Sequence, residues 1–347
     1  MKIDIVYTWV EPNNKKWLKE KSKYIKKESY SNNNSRHDSS LEELKYSLRS
    51  IEQYFGKYIN NIFLVTNNSI PKFINYTKNI TIINDEFLLG VKSFSSCTIE
   101  SVLHKIPGLS EYYLYFNDDF ILLKPLYIKD LINDNGQLIW YSDSSLLITL
   151  ASKFPFLAKI FNFDGNVTEA RLNTYKKINI INTPISISHS CRIFKKTLVN
   201  EFEHRYHKEI QELRKEKFRS ENSFCFCDAF CFWAQRKNYL EYKNNKTTKI
   251  LLQTDDFSSS FVNNSIIGGI YNYLSTIFNN TDFLCISDIR KTTDSNTFIK
   301  QYLDNIFINK SKWEKINKYK FNLNINTTFI YFFIIILLLF YIILIYH

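Results

Sequence analysis

Residues Thr98–Pro125 read TIESVLHKIPGLSEYYLYFNDDFILLKP, and the fold turns on how they divide. Thr98–Lys105 has helical character, which Pro107-Gly108 ends because this pair punctuates a helix. Tyr112–Phe116 is an apolar, aromatic run of strand length. It stops at Asn117-Asp118-Asp119, and apolar residues resume over Phe120–Leu123. Two adjacent carboxylates between apolar runs are costly to bury unpaired. At the carboxyl end of a strand in an α/β sheet they stand where such folds bind ligands. Hard divalent cations prefer oxygen donors, so a metal bound to a diphosphate would balance their charge. A solvated turn is the plainer reading of Asn-Asp-Asp.

Upstream, Lys2–Val10 is β-rich and breaks at Glu11-Pro12-Asn13-Asn14, a polar turn carrying an acid. A strand ending this way near the start of an α/β domain suits the edge of a nucleotide site. Ser40-Leu41-Glu42-Glu43 matches a capping box. Leu41, Leu44, Leu48, Ile51 and Phe55 follow at helical spacing, which predicts an amphipathic helix against the sheet. Lys45 and Arg49 share one side of it, a face that would meet either phosphate or solvent. Ile62–Thr66 and Ile80–Asn84 read as strands. Strand, helix, strand, strand, helix, strand is the order of a Rossmann-like α/β sandwich.

Downstream, Gln137–Thr149 starts strand-like and Asp164–Lys177 looks helical. A lone histidine, His189, precedes a helix expected over Lys195–Lys217, which Phe218-Arg219-Ser220 closes. A further helix is expected over Asp228–Tyr239, a short strand over Leu284–Ile289 with Asp288 in it, and an amphipathic helix over Thr297–Phe307.

The chain has 347 residues, 45% of them hydrophobic, enough for a substantial core; its 23 Tyr and 29 Phe point to aromatic-rich strands. The net charge of +11 suits an anionic partner, but the basic residues are dispersed and no nucleic-acid module is recognisable. Lys15–Lys27 reads as a solvated basic helix face. Cys225, Cys227 and Cys231 alternate with phenylalanines and lack a fourth ligand at zinc-site spacing, so they read as buried thiols. Residues 329–346 carry no charge and are almost wholly Ile, Leu, Phe and Tyr, about the length that crosses a bilayer. Lys310, Lys312, Lys315, Lys318 and Lys320 precede this run. The positive-inside rule then gives a single-pass C-terminal anchor with the body in the cytosol, or in the lumen if that rule fails here.

These segments together resemble the Stealth family of hexose-1-phosphate transferases, which includes bacterial capsule polymerases and the catalytic subunit of the animal N-acetylglucosamine-1-phosphotransferase. The resemblance rests on Ile3–Val10 (IDIVYTWV), then on Glu43–Glu52 (ELKYSLRSIE), Ile62–Pro71 (IFLVTNNSIP) and Ile99–Asp119, then on His189–Ser220, and last on Cys285–Asp288 with the helix after it. It implies a transferase domain over 1–310, with regions near 1–14, 36–125, 183–240 and 284–308. A basic linker over 311–328 and a transmembrane helix over 329–346 would follow. The implied fold is a glycosyltransferase-A-like, nucleotide-sugar-binding sandwich.

Carried over position by position, the family's catalytic residues fall on Glu100, Asp119, His189 and Arg219. Asp4, Trp9, Glu11 and Arg49 are the donor-binding candidates, and Asp118, Asp119 and Asp288 would hold Mg2+ or Mn2+. The implied reaction passes a sugar 1-phosphate from a nucleotide diphosphate sugar to a glycan hydroxyl. A metal-dependent glycosyltransferase releasing nucleoside diphosphate, and an inactive membrane-tethered binder, are the alternatives. The sequence departs from the family where Glu11-Pro12 replaces Asp-Gly, where Ser40-Leu41 replaces Asp-Asn, and where Ser223 replaces Asp.

Overall fold

The computed structural model describes residues 1–11, 14–24, 42–75, 79–142, 156, 165–180, 187–244, 246–251, 279–286 and 293–315. A body spans Met1–Glu314 and a second unit Lys315–His347. The expected membrane span over 329–346 lies outside the described residues. Among the described residues no helix is long and apolar enough to cross a membrane.

The predicted α/β architecture is present. The strands β1 (Ile3–Trp9), β2 (Ile59–Thr66), β3 (Ile80–Asn84), β4 (Tyr112–Asn117) and β7 (Arg192–Lys195) form one sheet in the order β3-β2-β1-β4-β7. The first four are parallel and β7 runs antiparallel to β4. A parallel sheet is covered on both faces, so its strands read as continuous apolar runs. Accordingly Ile3, Ile5, Val6 and Tyr7 are all fully buried, as are Leu114, Tyr115 and Phe116. Parallel pairing puts Thr8, Asn117 and Thr66 at one carboxyl edge, because Thr8 pairs with Asn117 and Trp9 with Thr66.

Helix α2 (Glu43–Phe55) packs on the sheet through Leu44, Leu48, Ile51 and Phe55, the stripe its spacing predicted. Its other side meets β5 (Phe120–Leu122), which pairs with β10 (Phe283–Ile286), itself parallel to β9 (Thr248–Leu251). Ser47 and Ser50 make the close approach possible. The Ser47 hydroxyl donates to the Phe120 carbonyl, and Ser50 Oγ accepts from Leu122 N at 3.0 Å. Tyr46, Ile121, Leu284, Ile286 and Leu303 form a second small core there. The capping-box expectation is corrected: the residue before the first turn is Glu42, left-handed at φ 61 with no side-chain cap bond.

The helix expected over Lys195–Lys217 is two, α6 (Lys196–Arg205) and α7 (His207–Arg214). The break falls at Tyr206, φ −115 and ψ 38, whose ring packs on Phe202. The break lets α7 dock on the short helix α4 (Ser96–Glu100). Arg214 forks onto Glu203 at 2.5 and 2.8 Å, and its Nη2 also donates to the Ser101 carbonyl at 2.6 Å. Burial alone would raise the Glu203 carboxyl, but bonds from Arg214, His104 and Lys105 outweigh it and hold the group well below the usual carboxylate range. A depressed acid stabilises the fold above its unfolded pKa, about 4.3, and that contribution is lost as pH falls below it. His104 is pulled down by burial, so it also opposes acid, beginning below about 6.5. Glu203→Gln should therefore cost roughly 1–3 kcal/mol at pH 7 and flatten the acid limb of a Tm-against-pH profile. An unchanged limb would refute the account.

The cysteine expectation is met in placement: Cys225, Cys227 and Cys231 are buried at the start and centre of α8 (Phe226–Arg236). That helix packs Phe226, Phe230 and Trp233 around Phe202.

Candidate active site

The Asn-Asp-Asp motif forms the turn between β4 and β5, at the carboxyl edge of the parallel sheet. Asp119 is buried, 4% exposed, while Asp118 is half-buried. The turn is pinned from β10: Ile286 N donates to the Asp119 carbonyl at 3.0 Å, and Cys285 Sγ lies 3.5 Å from Asp119 Oδ2. This fixes the turn from a neighbouring strand.

Glu100 ends α4, and the Tyr115 hydroxyl joins it to the motif. Tyr115 Oη lies 3.2 Å from Glu100 Oε1 and 2.5 Å from Asn117 Oδ1, and Thr8 Oγ1 is 3.2 Å away. The phenol thus ties the ends of β1 and β4 to the helix that bears Glu100. Cys227 also meets Glu100. Burial, followed by the charge of Glu100, pushes its thiol well up, so it donates rather than ionises. Tyr115→Phe keeps the ring and removes only this tie. It should lower kcat about 10-fold with KM and Tm little changed, read from steady-state kinetics and a thermal melt.

His189 lies three residues before Arg192, and Arg192 pairs with Tyr115, so the histidine is at the same carboxyl edge. Arg219 donates from Nη2 to Ser96 Oγ at 3.3 Å, reaching the start of the helix that ends at Glu100. The fold therefore gathers Glu100, Asp118, Asp119, His189 and Arg219 around one edge. Trp9 ends β1 at this edge, and Glu11, just beyond it, lies 3.4 Å from Asn14 Nδ2.

Two expected donor-binding residues are elsewhere. Asp4 is fully buried at the amino end of β1, the wrong edge. Its carboxylate accepts from Asn60 Nδ2 at 2.9 Å, Asn61 N at 3.0 Å and Ser110 N at 2.7 Å. It ties three chain segments together at the bottom of the sheet. Arg49 is turned away into a fork on Glu314, 2.7 Å from Nε and 2.8 Å from Nη2, and donates to the Phe307 carbonyl. It is neither a phosphate ligand nor a solvated face. Asp288 lies outside the described residues.

Among the described residues no group of three His, Cys, Asp or Glu side chains is assembled to hold a metal. Two carboxylates of one turn are nonetheless a fitting donor set for Mg2+, which uses one or two carboxylates, substrate phosphates and water.

Sequence reasoning missed Tyr115, Arg192 and the pair Arg171–Asp228, 3.2 Å apart. Asp228 holds Arg171 firmly charged, and Cys97 and Cys225 are close to the pair. A period of two puts Tyr115 on the face of Asn117, and Arg192 is a charge directly before the apolar pair Ile193-Phe194. Both signals were there to be read. The 171–228 pairing has no such signal.

Fold and site together define an α/β protein with acidic and arginine side chains at the carboxyl edge of a mostly parallel sheet. The family model described as Stealth protein CR2, conserved region 2, matches residues 37–139. The chain is 28% identical over 264 residues to the capsular polysaccharide phosphotransferase fcs1 of Haemophilus influenzae, covering 72% of this chain and 68% of that protein. It is 26% identical over 331 residues to the capsular polysaccharide phosphotransferase SacB of Neisseria meningitidis serogroup A, covering 90% and 57%. With LcbA, another capsular polysaccharide phosphotransferase of Neisseria meningitidis, the identity is 30% over 194 residues, covering 50% and 52%. The matched segments thus span from 52% to 68% of these relatives' own lengths. Among solved structures, the galactosyltransferase LgtC, in complex with donor and acceptor sugar analogs, superposes with a TM-score of 0.48 at 11% identity, covering 91% of this chain and 98% of that one. The chain is thus similar to the Stealth family through conserved region 2, over residues 37–139.

Proposed function

We propose that this chain transfers a sugar 1-phosphate from a nucleotide diphosphate sugar to a hydroxyl of a glycan acceptor. The carrying observation is the convergence of Glu100, Asp119, His189 and Arg219 on one sheet edge, in a chain whose relatives are named capsular polysaccharide phosphotransferases. The acceptor oxygen attacks the phosphorus that bears the sugar. The bond from that phosphorus to the bridging oxygen breaks, leaving a phosphodiester and a nucleoside monophosphate. The anomeric bond is untouched, so its configuration is kept. The chain is a phosphotransferase in this reading, and its work is positioning and charge neutralisation.

His189 takes the proton of the acceptor hydroxyl, since an imidazole titrates near neutral pH. Arg219 pairs with phosphoryl oxygens through its planar fork. Glu100, held by Tyr115, orients the acceptor or His189. Asp118 and Asp119, with Asp288, are the residues that would hold Mg2+ or Mn2+, and the cation would neutralise the diphosphate. The apolar run over 329–346 and the lysines before it support a C-terminal membrane anchor with the body on the cytosolic side.

The test is nucleotide release by the full chain in detergent, with Mg2+ or Mn2+, a panel of nucleotide sugars and glycan acceptors. Acceptor-dependent monophosphate is the expected product. Diphosphate would make the chain a glycosyltransferase acting at the anomeric carbon. Donor binding without turnover across the panel would favour the inactive binder.

A further inference from the structure

Among the described residues, three arginines at least partly buried are paired with carboxylates and Arg192 is not. Arg49 meets Glu314, Arg171 meets Asp228, and Arg214 meets Glu203. Arg192 is 9% exposed, and its Nε is sealed from solvent with no hydrogen-bond partner. Among the described residues no carboxylate stands within ion-pair distance of it and no acceptor meets its N–H groups. Its guanidinium carbon lies 5.8 Å from the centre of the Trp140 ring. Burial opposes its charge, but Glu100 and Asp228 nearby favour it and the group stays protonated.

A buried charge without a bonded partner costs several kcal/mol in a real protein. Native structures rarely leave such a group unsatisfied without a reason. The placement of Arg192 supplies one. It is the first residue of β7, directly opposite Tyr115 on β4. Directly opposed residues share a face of the sheet, so Arg192 is on the side of Tyr115, Glu100 and Asn117. Because β7 runs against β4, its first residue lies at the carboxyl edge, three positions after His189. A planar fork of N–H donors there fits an oxyanion that offers two oxygens at once. Arg171 is committed to Asp228, so it is not the guanidinium offered to such an anion.

We propose that Arg192 is a phosphoryl-binding residue, whose guanidinium is completed by the diphosphate oxygens of the donor and stands unbonded without it. The donor's identity as a diphosphate rests on the function proposed above; the anion site itself does not. Stability is spent in the empty protein on a group that only the ligand satisfies. The donor diphosphate then gains a charge-assisted bidentate contact in a site that excludes water.

Binding of inorganic pyrophosphate with Mg2+ to the full chain in detergent, followed by calorimetry, tests this with three proteins: wild type, Arg192→Met and Arg192→Lys. Thermal melts without anion accompany each. Arg192→Met should weaken pyrophosphate binding at least about 10-fold while its Tm is unchanged or raised, because an uncompensated charge is gone. Arg192→Lys should recover part of the affinity, since it restores charge without the fork. Pyrophosphate bound as tightly by Arg192→Met as by wild type overturns the proposal, as does a wild type that binds none. A fall in Tm with affinity intact assigns Arg192 a structural role instead. If pyrophosphate binds through Arg192 but no donor yields monophosphate, the anion site stands and the transfer reading fails.

Discussion

Asp119→Asn is expected to cut monophosphate release by about 100- to 1,000-fold, with the melt little changed. The substitution preserves shape and removes one charge. The turn is held from β10 by the backbone bond of Ile286 and the contact with Cys285, neither of which needs a carboxylate. Loss of activity therefore reports the missing charge rather than a displaced loop. Steady-state release at several Mg2+ concentrations, beside a thermal melt, makes the measurement. Unimpaired turnover would remove Asp119 from the chemistry. Partial rescue by raised Mg2+ would identify the charge as one that recruits the cation.

Arg49→Ala is expected to destabilise the body by about 3–5 kcal/mol, the usual consequence of leaving one partner of a buried ion pair behind. Arg49 is 8% and Glu314 5% exposed, so the stranded carboxylate has no easy route to water. Glu314 also accepts from Ser311 N at 2.8 Å, and Asn75 N donates to the Trp313 carbonyl at 2.7 Å. The clasp thus closes the end of the body, beyond the position where composition alone suggested that a linker begins. Pairing Arg49→Met with Glu314→Met should recover most of the loss, because removing both charges leaves none unpaired. Chemical denaturation of the two variants checks this. An Arg49→Ala protein as stable as wild type, but with a raised donor KM, would return Arg49 to phosphate binding.

The sequence was most legible where burial is dense and the period is plain. Tyr112–Asn117, Ile3–Trp9 and the Leu44, Leu48, Ile51 and Phe55 stripe needed no partner to be read, since both faces of a parallel strand and one face of a helix are written as apolar residues. The acids at the strand end were legible for the same reason: charge interrupting a buried run must be paired, solvated or functional. Asp4 was misread because an acid in a strand looks alike at either end of it, and only the neighbours Asn60, Asn61 and Ser110 reveal it as a structural acceptor. Arg49 was misread because its partner is 265 positions away.

By itself the sequence determined the strand and helix types, the α/β class, the acidic edge and the family resemblance, since local period, turn chemistry and short motifs are properties of neighbouring residues. Tertiary structure alone decided which charges stand at the carboxyl edge and which are consumed as struts. It broke the helix at Tyr206, drew Tyr115 onto Glu100, closed Arg49 on Glu314 and, among the described residues, left Arg192 Nε without a hydrogen bond. The physical reason is that an ion pair or hydrogen bond depends on distances between side chains far apart in the chain, and the fold is what sets those distances.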